Sequence, residues 1–445
     1  MLGDGATFSL MVGLGESFVP AYVLALGMGE VAAGLVTSLP MLAGALMQLI
    51  SPWAVARLGS HRRWVVACAL CQAGSLLLLP ISGLADGRLG WLVFVATTIY
   101  WATGLATGPV WNTWVEALVP RPIRARFFAA RTRICHAGVL VGFLLGGVVL
   151  HKGAAIATPL QQFSLLFLLA GACRFLSAAF LSRQSEPALL GASSTAGAST
   201  GGSLPHVGLV QLWGELRGHA GARLLAYLLA VQTGVWMAAP FFTPYMLAQL
   251  HLSYGQYVWL IASSVVSRIA VLPLLGRYAH NSGARRLLWA GGLAITPLSA
   301  FWLVSDSVAY LTGLQLVAGV AWGAYELGMF LMFFETIPRH ERTSLLTIYN
   351  AGNALAMVTG SLVGAVLLKL LGEVVTSYLV LFALSAVTRG LALVLLLRVP
   401  EVAFQAVRPA TRTLAVRPEE GAFEAPILPS IPNGEVGQEG AEILS

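Results

Sequence analysis

Charged residues are scarce in this chain. Only 10% of its 445 residues are Asp, Glu, Lys or Arg, whereas soluble proteins carry about 25%. This composition excludes an ordinary water-soluble domain. The formal charge of +7 does not indicate nucleic-acid binding, because the arginines lie between long apolar runs and do not line one polar face.

Cysteine is scarce too. Four cysteines are too few for a disulfide scaffold. Cys68 and Cys71 form a C-x-x-C inside an apolar run, where core packing is the expected role. There is no G-x-x-x-x-G-K-[ST] loop, so the chain is not expected to hydrolyse a nucleotide by itself. No metal or cofactor is predicted, and no cleavable signal peptide is expected, because a basic N-terminal stretch is missing.

Apolar residues dominate instead, at 57% with a mean hydropathy of +0.78. A helix needs about 20 apolar residues to cross a bilayer. By that rule the sequence predicts an all-α integral membrane protein with twelve spans. The predicted spans are 6–27, 31–56, 64–84, 90–118, 134–151, 162–182, 222–249, 254–277, 286–304, 308–337, 344–369 and 374–398.

The spans form two groups of six. Residues 1–182 and 222–398 are the predicted bundles. Between them, 183–221 has the Gly, Ser and Thr content of a flexible linker and could end in an interfacial helix at 206–219. Residues 399–445 are rich in Pro, Gly and Glu and are predicted to be disordered. With both termini placed in the cytoplasm, twenty of the 26 Lys and Arg residues face that side, as the positive-inside rule favours.

The two bundles share local sequence features. Glu116 ends an apolar run before Pro120 and a group of arginines, and Glu335 does the same before Pro338. Glycines spaced four apart recur in the fifth and eleventh spans, a pattern typical of close helix packing. Because each bundle has six spans, both insert the same way round, which predicts a parallel repeat with its axis along the membrane normal.

These features resemble the major facilitator superfamily of secondary transporters over roughly residues 6–398. Arg57, Gly59, Arg62 and Arg63 fit the family's signature loop after the second span with a slip of one residue, but Ala56 stands where the family has Asp. The resemblance implies two six-helix bundles that rock about a central cavity lined by the first, fourth, seventh and tenth spans.

Charges present in both bundles are interpreted as scaffold or gate. The buried arginines Arg174 and Arg389 are expected to hold their bundles through helix carbonyls or a carboxylate partner. Glu116 and Glu335 lie near helix C-termini, where the dipole disfavours an anion, and are expected to pair with loop arginines. The predicted network comprises Arg57, Arg62, Arg63, Glu116, Arg124, Arg174, Glu335, Arg342 and Arg389.

Charges present in one bundle only are candidates for substrate or proton binding. Glu16, Arg268 and Glu326 lie within spans, where a charge defaults to a functional hypothesis. Removal from water disfavours the charged form of a carboxylate, which suits Glu16 or Glu326 to take and release protons. Arg268 is expected to pair with Glu326 or with an anionic group of a substrate. The alternatives are a static ion pair and a structural carboxylate.

Aromatic and polar side chains complete the candidate site. Rings on expected cavity helices suit an organic, partly apolar ligand or a cation, although packing and interfacial belts are the alternative roles. The candidates are Trp101, Trp236, Trp322, Tyr325 and Gln232.

The sequence therefore predicts a permease of the plasma membrane that moves a small organic solute by alternating access, with proton coupling. The partners expected are the lipid bilayer, the solute and protons, without nucleic acid, and a monomer is the family default. The alternatives are a non-transporting sensor or assembly factor on the same scaffold, and a membrane-embedded enzyme, for which a cluster of His, Asp or Glu inside the spans is missing. The substrate and the direction of transport stay open.

Overall fold

The computed structural model describes residues 1–84, 89–119, 121–153, 157–186, 220–336, 342–397, 411–414 and 423–426. The first six spans follow the predicted apolar runs closely. They are Leu2–Leu14 continued by Val19–Ala25, then Glu30–Leu58, His61–Leu84, Gly90–Leu118, Arg121–Gly153 and Pro159–Ser182. The fifth begins earlier than the predicted residue 134, so the backbone from Arg121 onward is helical and is not a loop.

The second half repeats this layout. Its spans are Ala220–Ala238 continued by the short segments Ala239–Phe241, Phe242–Pro244 and Tyr245–Gln249, then Tyr254–Ser282, Ala284–Ile295 with Ala300–Leu303, Val308–Thr336, Arg342–Leu371 and Val375–Leu397. The all-α fold of twelve spans in two bundles is confirmed.

The ninth span differs from its prediction. Eleven helices within the described ranges are long and apolar enough to cross a membrane, and the predicted continuous span 286–304 is not one of them. Its helix stops at Ile295, and a separate 3₁₀ turn covers Ala300–Leu303. Pro297 lies between the two pieces. Proline cannot donate a backbone hydrogen bond, and its ring clashes with the preceding turn, which accounts for the break.

The first and seventh spans are interrupted at equivalent places. A 3₁₀ turn at Glu16–Phe18 precedes Pro20, and a second one at Ala239–Phe241 contains Pro240. Such breaks are tolerated within a membrane where the freed backbone groups line a cavity or meet neighbouring helices. The break in the first span places the side chain of Glu16 at the inner wall of the bundle.

Glycines bring the helices of each bundle into close contact. A methyl group at Gly13 of the first span would overlap the carbonyl oxygen of Val139 in the fifth. In the second half, a methyl group at Gly360 would overlap the carbonyl oxygen of Thr233. The same pair of spans therefore packs backbone to backbone in both halves, as small residues permit in membranes.

The halves meet along two seams. The second span packs on the eleventh, and the fifth packs on the eighth. Each seam joins equivalent partners across the repeat, so the axis between the halves runs along the helices.

Beyond the helices, Thr411–Leu414 pairs antiparallel with Phe423–Pro426. This short ribbon lies in the segment predicted to be disordered. The rest of that tail and the predicted helix at 206–219 lie outside the described residues, so both predictions stay predictions.

Candidate functional site

A cavity of about 310 Å³ lies against the break in the first span. Its walls come from the first four spans, and Trp236 of the seventh span lines it from the other half. Most of the wall is apolar, with Val19, Val36 and Leu79 among its members. The tenth span, which the family resemblance placed in the cavity wall, contributes no lining residue from the described part of the chain.

Glu16 is the acidic residue of this wall. Its Oε2 accepts a hydrogen bond of 2.6 Å from the hydroxyl of Tyr100 in the fourth span. The same hydroxyl lies 3.2 Å from the sulfur of Met11. The partner described for Glu16 is thus a neutral hydroxyl and not a cation. Without a compensating cation, removal from water favours the protonated form of a carboxylate.

Three of the predicted site residues share this cavity, and the others do not. Glu16, Trp101 and Trp236 line it together. Trp322 and Tyr325 pack instead against one another within the tenth span, with ring centroids 5.8 Å apart. These two rings and Gln232 are not among the lining residues.

Arg268 and Glu326 form an ion pair between the eighth and tenth spans. One guanidinium nitrogen donates to both carboxylate oxygens, at 2.9 and 3.0 Å. The two side chains are 37% and 47% exposed. Within a membrane domain such exposure requires a water-filled space or a headgroup, because charges are costly against lipid. The pair is neutral as a unit, whereas the partner described for Glu16 carries no charge.

A buried charge network joins three spans of the first half. Arg131 of the fifth span lies 3.3 Å from Asp4 of the first. Arg174 of the sixth span donates to Ser177, which donates in turn to Asp4 at 2.7 Å. The Arg174 guanidinium also lies over the ring of Phe8. Because a lone buried charge is strongly destabilising, this arrangement explains how the bundle holds two arginines in its core.

Sequence reasoning missed Asp4. The first span was predicted to begin at residue 6, which left Asp4 outside it, but the helix begins at Leu2 and Asp4 is buried. The sequence did carry a signal, because Asp4 lies less than one helical turn before the predicted start of the first span. An acid so close to a spanning helix is a candidate partner for a buried arginine.

Arg389 has a different partner in the second half. Its Nη1 donates to the carbonyl oxygen of Ile295 at 3.0 Å, which is the last residue of the broken ninth helix. Final-turn carbonyls of a helix carry partial negative charge and lack intrahelical donors. Arg389 therefore caps that helix end.

The basic loop after the second span is anchored to the start of the linker. Glu186 accepts hydrogen bonds from the backbone N–H groups of His61 and Arg62, at the first turn of the third span. The side chain of Arg62 also donates to the carbonyl oxygen of Gln184. Anions are favoured at helix N-termini, so Glu186 fixes the linker there. Arg57 lies over the ring of Trp53.

Part of the predicted gating network falls outside the described structure. The side chains of Glu116, Arg124, Glu335 and Arg342 are not described. The predicted network of these four residues therefore stays a prediction.

The end of the bundle opposite the linker is closed by side chains from both halves. Glu30, which starts the second span, accepts hydrogen bonds from Gln249 at 2.7 Å and from the hydroxyl of Tyr378 at 2.5 Å. Its backbone N–H donates to the carboxylate of Glu373. One carboxylate of the first half thus holds the seventh and twelfth spans of the second.

Two solved structures share this architecture with the chain. A mutant of the nucleoside transporter NupG is 12% identical, covers 88% of this chain and 99% of its own, and gives a TM-score of 0.64. A D-xylose-proton symporter is 16% identical, covers 90% of this chain and 96% of its own, and gives a TM-score of 0.60. At these identities the likeness shows the fold.

The second half of the chain matches one protein family. Residues 224–432 match the family described as Major Facilitator Superfamily, and the resemblance to that superfamily predicted from the sequence is confirmed. The chain is also 24% identical over 115 residues to Multidrug resistance protein 3 of Bacillus subtilis (strain 168). That match covers 26% of this chain and spans 22% of the relative's length.

Proposed function

We propose that this protein is a secondary active transporter that moves a small organic solute by alternating access, driven by protons. The observation that carries the proposal is Glu16, a carboxylate that lines the cavity at the break of the first span and is bonded to a neutral tyrosine. The match to the superfamily supports the transporter class, and the coupling rests on Glu16.

Glu16 is suited to exchange a proton with the cavity. Removal from water favours the protonated form of a carboxylate, and exposure to water when the cavity opens favours release of the proton. Tyr100 supports either state, because its hydroxyl donates to the ionised carboxylate and can accept from the protonated one. The side chain therefore binds and releases a proton in step with the conformation of the two halves.

The closure at Glu30 supports alternating access. The two halves are tied together at the end opposite the linker, and the seams between second and eleventh and between fifth and eighth spans permit a rocking motion about the cavity. The excess of arginine at the linker end favours a cytoplasmic location for that end, with the protein in the plasma membrane. On this orientation the closed end at Glu30 faces the outside.

Reconstitution into liposomes tests the coupling. The purified protein is first screened for ligands by thermal unfolding at two pH values, since a ligand that binds the folded state raises the melting temperature. A ligand found in this way is then followed across liposomes with an imposed pH gradient. We expect gradient-driven accumulation by the wild type and only downhill exchange by Glu16→Gln.

Two controls separate coupling from damage. Thermal unfolding of Glu16→Gln must match the wild type, because glutamine keeps the size and a hydrogen-bonding oxygen for Tyr100. Tyr100→Phe should keep coupling at reduced efficiency, since it removes the hydrogen bond and leaves the acid. Unchanged gradient-driven accumulation in Glu16→Gln would exclude Glu16 as the coupling site.

A further inference from the structure

Four hydroxyl groups of the cavity wall donate their protons to backbone carbonyl oxygens of the protein itself. Ser17 donates to the carbonyl oxygen of Val12 at 3.1 Å, and Thr37 donates to that of Gly34 at 2.8 Å. Ser75 and Thr97 donate to backbone carbonyls of their own helices, each at 2.8 Å. A hydroxyl has one proton and two lone pairs. Each of these groups therefore presents only acceptor lone pairs to a bound molecule.

The two remaining oxygen-bearing side chains continue the pattern. The Tyr100 proton is directed at Glu16, and Glu16 in its ionised form, the form that would pair with a cation, is an acceptor only. Among the described lining residues, the donors left are the indole N–H groups of Trp101 and Trp236, and no Lys, Arg or His is present. The rings of these tryptophans add π faces that attract a cation.

We propose that the solute is a small apolar amine, bound in its protonated form with its N–H groups directed at Glu16 and the wall hydroxyls. This inference rests on the proposed transport function and specifies its substrate class. A protonated amine supplies the positive charge and the donors that the wall lacks, and its hydrocarbon groups fit the apolar surface of Val19, Val36 and Leu79.

Other solute classes fit this wall poorly. A sugar or a nucleoside is polar over most of its surface, so many of its hydroxyl groups would lie against apolar side chains such as Val19, Val36 and Leu79, and each unpaired buried polar group costs about tenfold or more in affinity. An organic anion would meet the charge of Glu16 without a compensating cation. The volume of about 310 Å³ is at the low end for ligand sites, which run from roughly 300 to 1,000 Å³, so the amine carries one or two rings.

The charge balance between the amine and Glu16 determines how many protons are exchanged for each amine. A protonated amine and a protonated Glu16 cannot both occupy the site favourably, because the amine needs the ionised carboxylate. The carboxylate that binds the amine has released its proton to water, and when the amine leaves, a proton returns. Each amine bound to a protonated carboxylate therefore releases one proton.

Four compounds of similar shape test this class. Dibenzylammonium carries charge and N–H donors, and N,N-dimethyldibenzylammonium keeps the charge without the donors. Dibenzyl ether has neither, and dibenzyl phosphate has the opposite charge. We expect the first to bind the purified protein best, the second about tenfold more weakly, and the last two about a hundredfold more weakly or not at all. Calorimetry in two buffers of different ionisation enthalpy should show proton release with the first compound.

Matched variants locate the site. Glu16→Gln should abolish amine binding and proton release. Asp306→Asn removes a carboxylate at the far end of the second half, where it accepts from Tyr245, and should leave both unchanged. Equal binding of the amine and the phosphate, amine binding unaffected by Glu16→Gln, or no binding by any of the four compounds would overturn the proposal.

The outcomes also separate the solute class from the transport function. Amine binding at Glu16 without movement into liposomes would retain the ligand class and reject transport. Gradient-driven movement of a sugar, a nucleoside or an anion, with no amine binding, would retain transport and reject the ligand class.

Discussion

Removing the hydroxyl of Tyr378 should loosen the closure at the end opposite the linker. That hydroxyl donates to Glu30 across the two halves, and a hydrogen bond to a charged group contributes about 1.5–3 kcal/mol. Glu30 is only half-buried, so water can replace part of the bond and the lower value applies. Because about 1.4 kcal/mol is a factor of ten, Tyr378→Phe should raise the population open at this end by up to about tenfold.

Thiol labelling measures this population. A cysteine replaces Thr37, which lines the cavity below the closure, in a background lacking the four native cysteines. A membrane-impermeant maleimide is added from the side of Glu30, and the labelling rate reports opening at that side. We expect the rate to rise in Tyr378→Phe and further in Glu30→Ala, which loses the bonds from both Tyr378 and Gln249.

The second half offers a matched control. Tyr245 stacks near Tyr378, with ring centroids 5.3 Å apart, but its hydroxyl donates to Asp306 of the same half. Tyr245→Phe therefore removes a hydroxyl from the same aromatic cluster without touching a bond between the halves. Equal labelling rates in Tyr378→Phe and Tyr245→Phe would refute the reasoning that Glu30 holds this end shut.

Three stability predictions follow from the packing and the charges, each measured by thermal unfolding in detergent. Gly13→Ala should lower the stability of the fold by about 1–3 kcal/mol through overpacking. Gly74→Ala, at a position with open space around it, should be neutral or stabilising. Similar effects of the two substitutions would contradict the close contact at Gly13. Arg131→Leu should cost about 3–5 kcal/mol, because it leaves Asp4 without its cationic partner, and adding Asp4→Asn should restore part of the loss; additive losses would argue against the pair. Glu326→Gln should change stability by no more than about 1 kcal/mol, because its ion pair is well exposed; a large loss would show that the pair supports the fold.

The span layout was predictable because it depends on local composition. Long apolar runs, separated by short polar segments, indicated boundaries within a few residues for most spans. The prediction of the ninth span as one continuous helix was wrong. Average hydropathy over a run of residues stays high across Pro297, so it gives no sign of the break there. The early start of the fifth helix was missed for the converse reason: arginines from Arg121 onward look like a loop by hydropathy but can extend a helix beyond the bilayer.

The site was less predictable because it depends on which helices meet. Glu16 stood out as a charge in an apolar run, but its bond to Tyr100 joins residues far apart in sequence. The pairing of Arg268 with Glu326 was one of two options left open by the sequence. Asp4 required knowledge of its partners, Arg131 and Ser177, which lie in two other spans.

Comparison of the two halves shows whether the acids of the first span have counterparts in the seventh. Gly146 packs against Phe18, and Gly364 packs against Phe241, so the two phenylalanines are equivalent. Counting back from each by the same number of residues places Ala239 opposite Glu16 and Tyr227 opposite Asp4.

Both acids of the first span thus have uncharged counterparts in the seventh. The buried arginines, by contrast, are present in both halves, and Arg389 binds a helix carbonyl where Arg174 is linked through Ser177 to Asp4. We infer that the duplicated arginines serve the scaffold, whereas the acids of the first span distinguish that half from the other. A charge that changes its protonation during transport is needed on one side of the cavity only, and this asymmetry is the reason to look for coupling at Glu16 and not at the shared arginines.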